Sequence, residues 1–240
     1  MKDIKSFLAG KKLLAIFPHP DDEAFSCSGL LYYHTSLGNQ ASLICLTRGE
    51  SASLGQMSKD LGEQRLNELR NSAKLLGISS IDCPGFKDSQ LSTEDGLKDY
   101  LAEKIKEMNP QIIISFCRDG AYGHIDHVHL TKLLISLLQS NSTIDFLGAA
   151  FPKAMFLPLF KRLRRYRNGQ LADKTLMSED FGFKAEEADF TLSYAEMERI
   201  KSASIACHKS QLKSCDILSL LYPVDIRPLL KIEYYKKLNG

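Results

Sequence analysis

The strongest constraint on this chain is a set of short apolar runs separated by segments of helical periodicity. Lys12–Phe17, Ala41–Thr47, Gln111–Phe116 and Ile144–Ala149 are brief, almost free of charge and followed by polar or proline-containing stretches. Runs of that length read as strands buried on both faces. Between them, Ala24, Cys27, Leu30, Leu31 and Leu37 recur at helical spacing up to Gly38. Leu61, Leu66, Leu69, Ala73 and Leu76 do so up to Gly77, and Leu97, Leu101, Ile105 and Met108 stop before Pro110. Val128, Leu133, Leu134, Leu137 and Leu138 mark a further helix after the loop CRDGAYGHIDH. A weaker strand is expected at Ser80–Cys83. Ser193-Tyr194-Ala195-Glu196 has the form of a capping box and predicts a late helix, and Asp216–Leu221 also reads as helical. Strands alternating with helices imply parallel βαβ units. The expected fold is therefore a Rossmann-like three-layer α/β/α domain with a mostly parallel sheet. The 240 residues suffice for a single such domain over 1–240, with a lid or insertion expected at about 151–190.

Sheets of this kind gather sites beyond the carboxyl ends of strands, where the strand order reverses. Two polar loops stand at such ends: His19-Pro20-Asp21-Asp22-Glu23 after the first run, and the segment ending His124-Ile125-Asp126-His127-Val128-His129 after IIISF. His19 and Asp22, three apart on a loop fixed at both ends, are spaced to converge on one ion. A cation would also offset the repulsion of adjacent carboxylates. The plainer reading is that Asp21, Asp22 and Glu23 are first-turn charges of a helix. In the second loop, three of the six histidines fall within six residues. Two histidines and a carboxylate with open positions suit a catalytic zinc that keeps a water, and the same set suits Fe(II). His34 and His129 are expected to pack or face away, and His208 to be a structural hydrogen-bonding residue.

Several function classes are excluded. The turn after the first strand, PHPDDEAFSCSG, lacks the G-x-G-x-x-G of dinucleotide binders, and no H-E-x-x-H helix of a zincin protease is present. The order H-x-D-H-x-H also differs from that of metallo-β-lactamase-like dinuclear sites. A net charge of +2 points to no nucleic-acid partner. The six cysteines form no C-x-x-C pair and fit buried thiols in a reducing, cytoplasmic setting. The one concentrated basic stretch, Lys161–Arg167, follows an apolar segment containing Met155, Phe156 and Phe160. It reads either as a self-packed surface or as a lid meeting an anionic substrate, with peripheral membrane contact or a second subunit as partners of the apolar residues. A homo-oligomer is expected.

PHPDDE, LTRGE, AYGHIDH and HKSQ, in that order, resemble the LmbE/PIG-L family of zinc-dependent N-deacetylases, which act on N-acetylglucosamine linked to varied aglycones. The resemblance spans roughly residues 12 to 215. It implies a metal-dependent hydrolase that removes an N-acetyl group by a metal-activated water. It implies His19, Asp22 and His127 as the ligands of Zn2+, and Asp21 as the general base. It implies His124 as the group that stabilises or protonates the tetrahedral intermediate, with Asp126 as its orienting partner. Tyr122 matches a tyrosine able to reach substrate, and Arg48 is a candidate substrate contact. The chain departs from the pattern at Ile125, where proline is common. Two other readings are a non-catalytic, metal-containing glycan-binding member and a zinc amidase acting on a non-sugar amide.

Overall fold

The computed structural model describes residues 2–51, 60–139, 143–153, 182–214 and 227–239. The strands are β1 (Lys2–Asp3), β2 (Leu13–Phe17), β3 (Ala41–Cys45), β4 (Ser80–Asp82), β5 (Ile112–Phe116), β6 (Asp145–Ala150), β7 (Phe190–Leu192) and β8 (Glu233–Lys237). The helices used below are α1 (Lys5–Leu8), α2 (Asp22–Ser26), α3 (Ser28–Ser36), α4 (Leu61–Leu75), α5 (Leu97–Met108), α6 (Gly120–Gly123), α7 (Ile125–Leu138), α8 (Met197–Cys207), α9 (Lys209–Ser214) and α10 (Arg227–Lys231). Among the described residues, all eight strands belong to one sheet, in the order β1-β7-β8-β6-β5-β2-β3-β4. β4, β3, β2, β5 and β6 run parallel, while β8 is antiparallel to both β6 and β7. The mostly parallel three-layer α/β architecture read from the alternation is the one observed.

Every residue of β2 and β5 is buried, because helices cover both faces. Leu13, Ala15 and Phe17 pack with Leu30 and Leu31 of α3 and Leu66 and Leu69 of α4. Leu14 and Ile16 point the other way, into a second core with Leu101 and Ile105 of α5 and Leu130 and Leu134 of α7. Each such side chain contributes roughly 1.5–3 kcal/mol by leaving water. The chain runs outward from β2 to β3 and β4, then returns to β5 on the other side of β2. The reversal lies between β2 and β5, so the loops after these two strands open onto the same crevice.

Two expected elements differ in detail. The helix from Ala24 to Leu37 is broken at Cys27, whose φ of −148° is not helical. The cause lies far away in sequence: the Glu233 carboxylate of β8 accepts the backbone N–H groups of Gly29 and Leu30 at 2.9 and 2.8 Å, so α3 begins afresh there. Ser193 does not cap the late helix. That helix starts at Met197 after Glu196 with no side-chain cap, because the Ser193 hydroxyl donates instead to the Lys231 carbonyl at 2.9 Å. Lys161–Arg167, Met155, Phe156, Phe160, Cys215 and Asp216–Leu221 lie outside the described residues, as does most of the expected insertion at about 151–190. Among the described residues, no helix is long and apolar enough to cross a membrane.

Candidate metal centre

The loop after β2 is held before it turns. The Pro18 carbonyl accepts the Thr47 backbone N–H and hydroxyl, both at 2.9 Å. His19 follows, and its backbone N–H donates to Asp22 Oδ2 at 2.9 Å, which folds the aspartate back over the histidine. Asp21, immediately before α2, has φ 111° and ψ −24°. This is a region that L-residues other than Asn and Asp rarely enter, at a cost of roughly 1–3 kcal/mol. Its N–H donates to Glu23 Oε2 at 3.1 Å, and its carbonyl accepts from Ala24 and Phe25 to open α2.

The second loop follows β5. His124 caps α7, its Nδ1 accepting the Asp126 backbone N–H at 3.3 Å. His127 lies in the first turn, fully buried, with its ring stacked on Phe116 at 4.0 Å and an interplanar angle of 7°. Its Nδ1 lies 3.1 Å from the Gly120 carbonyl. That contact fixes the tautomer, with N–H at Nδ1 and the lone pair at Nε2. Gly120 permits the approach: at φ 61°, an added Cβ would fall 3.0 Å from His127 Cβ and 2.8 Å from Val128 Cγ2.

Atoms of three residues then meet. His127 Nε2 is 3.3 Å from His19 Nδ1, and Asp22 approaches each ring with a different oxygen: Oδ2 is 3.4 Å from His19 Nδ1 and Oδ1 is 3.4 Å from His127 Nε2. Ligand atoms about 2.0–2.1 Å from a tetrahedral ion stand about 3.3–3.4 Å apart, so the two imidazole nitrogens have the spacing of a shared small divalent cation, with the Asp22 carboxylate beside both. Two overlapping sets of single donor atoms lie within 4.8 Å of one another: His19, His124 and His127, and His19, Asp88 and Asp126. The first includes an imidazole already capping a helix. In the second, Asp88 accepts the Ser51 N–H at 3.0 Å, and Asp126 accepts those of Ser89 and Leu91 at 2.7 and 3.2 Å. These carboxylates are better read as outer partners of His19, whose Nε2 lies 3.1 Å from Asp88 Oδ1 and 3.3 Å from Asp126 Oδ2. A carboxylate on the far nitrogen of a ligating histidine orients it and raises its basicity.

The electrostatics agree. Burial, reinforced by His19, pushes His127 down to about 3, opposed by Asp22, so this imidazole is neutral as a ligand must be. Burial resists ionisation of Asp22, yet the neighbouring His127 and His19 hold its carboxyl at about 2. Asp88 is held at about 2 against burial by His19 and the Ser51 amide, and Asp126 is also lowered against burial by His19. Three ionised carboxylates therefore surround one imidazole, a charge imbalance that a dication complements. His19 itself is raised well above its usual value: burial opposes protonation, but Asp126, Asp22 and Asp88 outweigh it.

Asp21 behaves differently. Burial lifts its carboxyl to about 6, opposed by Arg65 and reinforced by Asp22. Arg65, on the buried face of α4, lies 3.3 Å from Asp21 Oδ2 and donates to the carbonyls of Gly49 and Pro20 at 2.7 and 2.5 Å. Burial and the charge of His19 push His124 below its usual value. His124 is thus a neutral ring whose Nδ1 lone pair faces the Asp126 amide, which leaves an N–H at Nε2.

His19, Asp22, His127, His124, Asp21 and Asp126 are therefore brought together. Asp126 meets His124 through its backbone N–H, whereas its carboxylate turns to His19 and the 89–91 loop. Arg48 stands apart: its side chain is 45% exposed and pairs with Glu63 of α4. The side chain of Tyr122 lies outside the described residues. Sequence reasoning missed Arg65 and Asp88. An arginine four residues after Leu61, on an apolar stripe, was the signal for the first; the loop FKDSQL carried none for the second.

Residues 14–138 match the PIG-L family, described as GlcNAc-PI de-N-acetylase. Over 277 aligned residues the chain is 25% identical to the 1D-myo-inositol 2-acetamido-2-deoxy-alpha-D-glucopyranoside deacetylase of Corynebacterium diphtheriae, covering 97% of this chain and 94% of that one. Among solved structures, the N,N'-diacetylchitobiose deacetylase of Pyrococcus horikoshii superposes with a TM-score of 0.64 at 19% identity, over 96% of this chain and 84% of the other. GalB, the 4-carboxy-2-hydroxymuconate hydratase of Pseudomonas putida, reaches the same TM-score at 15% identity, over 94% and 95%. The shared fold thus carries more than one reaction and does not name the chemistry by itself.

Proposed function

The chain belongs to the PIG-L family of GlcNAc-PI de-N-acetylases, and from that premise we propose that it is a metal-dependent hydrolase that removes the acetyl group from the N-acetylglucosamine unit of a small conjugate. The observation that carries the reading is the His19–Asp22–His127 triangle with an unusually basic Asp21 beside it. His19, Asp22 and His127 would hold the ion, with zinc favoured by the nitrogen-and-carboxylate donor set and Fe(II) as the alternative. A divalent cation held there supplies Lewis acidity, making a water nucleophilic near neutral pH and polarising the amide carbonyl.

Asp21, lifted to about 6, is matched to take a proton from that water at neutral pH. As the water oxygen bonds to the acyl carbon, charge gathers on the carbonyl oxygen. The Nε2–H of neutral His124 is the chain's donor for that charge. When the C–N bond breaks, the departing amine needs a proton, and the one taken by Asp21 is at hand. Acetate and the free amino sugar are the products. In this scheme His124 acts as a hydrogen-bond donor rather than as an imidazolium. Tyr122 and Arg48 remain candidate substrate contacts, Arg48 from the exposed rim. We take the chain as one domain acting on a soluble or anionic sugar conjugate. Its five described cysteines are free thiols, in keeping with a reducing, cytoplasmic setting.

The test is primary-amine release from a panel of N-acetylglucosaminyl conjugates with inositol, sugar, lipid and organic-acid aglycones. It uses metal-depleted protein with zinc or Fe(II) restored. Turnover should need the metal and fall about 10²- to 10⁴-fold in Asp21→Asn while one metal per chain remains bound. Metal-independent release, or an Asp21→Asn variant as fast as the parent, would sink the mechanism. Bound metal with no release from any conjugate would move the protein to another amide or to a binding role.

A further inference from the structure

The HKSQ motif does not touch the metal triangle, yet its histidine lies directly behind the base. Resting on the reading above, we propose that His208 is a positioning residue for Asp21, acting through Glu23.

His208 Nε2 lies 2.8 Å from Glu23 Oε1, and the same oxygen accepts the Ser72 hydroxyl at 2.6 Å. Ser72 Oγ is in turn 2.9 Å from Ser204 Oγ. The other Glu23 oxygen, Oε2, takes the Asp21 N–H. Glu23, Ser72 and Ser204 are fully buried and His208 is 1% exposed. A carboxylate so placed needs its partners, and His208 and Ser72 on one oxygen and the Asp21 N–H on the other supply them. The Asp21 peptide is the strained one, at φ 111°. Such a conformation persists only where neighbours over-determine it, and the Glu23 contact is a side-chain hydrogen bond holding that peptide N–H. His208 Nδ1 has no partner among the described residues, so the ring's known polar anchor is Glu23 itself. The rest of the motif fastens this arrangement from outside: the Ser210 N–H and hydroxyl donate to the Glu68 carboxylate of α4 at 2.8 and 2.6 Å, and the Gln211 amide donates to Ser210 Oγ at 3.2 Å. The segment from 208 to 211 thus clamps onto α4 and, through Glu23, fixes how the base is presented. A base displaced by about 1 Å loses on the order of 10²-fold in rate while substrate still binds.

The experiment compares His208→Ala, His208→Gln and Ser72→Ala in the metal-loaded, full-length chain. It reads kcat and KM on the best conjugate, metal stoichiometry, and exchange of the Asp21 backbone amide by NMR. His208→Ala should lower kcat roughly 10- to 100-fold, leave KM within about twofold, keep one metal per chain and speed Asp21 amide exchange. His208→Gln, which retains a donor, should restore most of the rate and the protection. Ser72→Ala should show a smaller loss of the same kind, and it decides the matter if His208→Ala does not fold. Unchanged Asp21 exchange in these variants, or equal kcat losses in Ala and Gln, would overturn the proposal. So would a loss that appears in KM or metal content. If the parent turns over no conjugate, the deacetylase reading fails, and the exchange measurements still decide whether His208 and Glu23 hold the Asp21 peptide.

Discussion

Two buried networks of charge in this molecule are built on opposite plans. At the carboxyl ends of β2 and β5, Asp22, Asp88 and Asp126 crowd around His19, with more negative charge than the described side chains neutralise. Behind α3, Glu233 is matched donor for donor. It accepts the N–H groups of Gly29 and Leu30, the Tyr235 hydroxyl at 2.7 Å and the Lys201 ammonium at 2.5 Å, and Lys201 also donates to the Phe25 carbonyl. The second network is complete as it stands, so its work is to hold elements in place. The first carries acidic charge in excess, which suits it to hold a cation. The contrast lies in charge balance, since the side chains of both are buried.

The comparison breaks most directly at Lys201. Replacing it with Met strands the Glu233 carboxylate, and the loss of one partner of a buried pair should cost about 3–5 kcal/mol of unfolding free energy. Denaturant titration of the metal-free protein measures it, and metal affinity should hardly change. A loss under about 1 kcal/mol would mean that the matched network is decorative. Asp88→Asn asks the converse question. It removes an outer partner of His19 and should weaken metal binding about 10- to 100-fold, with metal-free stability falling only modestly, because the pairing of Asp88 with His19 and the Ser51 amide is lost while the crowding of the remaining carboxylates is relieved. Competition with a chromophoric chelator reads the affinity. If the variant is instead as destabilised as the Lys201 one, the two networks are of one kind. The smallest effect is expected at an ordinary surface ion pair. Asp145 lies 2.9 Å from Lys11 Nζ and 2.8 Å from Lys237 Nζ. Burial opposes its ionisation, but Lys237 and Lys11 lower its pKa. A carboxyl lowered by folding adds stability above its unfolded value, near 3.8, and loses it as pH falls through the folded one. Asp145→Asn should therefore flatten the acid limb of the pH–stability curve by less than about 1 kcal/mol. Urea melts between pH 3 and 6 would show it, and an unchanged limb would remove the pair from the account.

The same contrast explains what was legible in the residues. LLAIF and IIISF announce strands because both faces need apolar side chains, and the loops after them follow from connectivity. His19 and Asp22 were readable because they follow closely on the end of β2 at the point of reversal; His127 stands farther from the end of β5 and was singled out by the resemblance that AYGHIDH carries. Position in the chain nearly determines position in the site for the first two alone. Asp88 and Arg65 were not readable, since a loop aspartate and a helical arginine acquire meaning only from what they face. β8 was hidden for a related reason. EYYKK offers two buried positions, Glu233 and Tyr235, and a buried glutamate disguises the strand until Lys201 and the amides of α3 are seen. The break at Cys27 was hidden as well, because the group that causes it is more than two hundred residues away. The direction of the Asp126 carboxylate could not be read from adjacency: its neighbour His124 takes the amide, and the distant His19 takes the side chain.

The placement of β8 also sets a timetable. β7 reaches the sheet only through β8, and β1 is held in it only by β7. While the chain is emerging from the ribosome, every proposed metal ligand is already present once residue 127 has been made. The Glu233 carboxylate, on which α3 begins, arrives about a hundred residues later; β7, which holds β1, is made sooner but must wait for β8 to join the sheet. Domains generally fold as units. The residues of the ligand set are therefore all in the chain before its brace is, and β1, though made before β7 and β8, can join the sheet only after both.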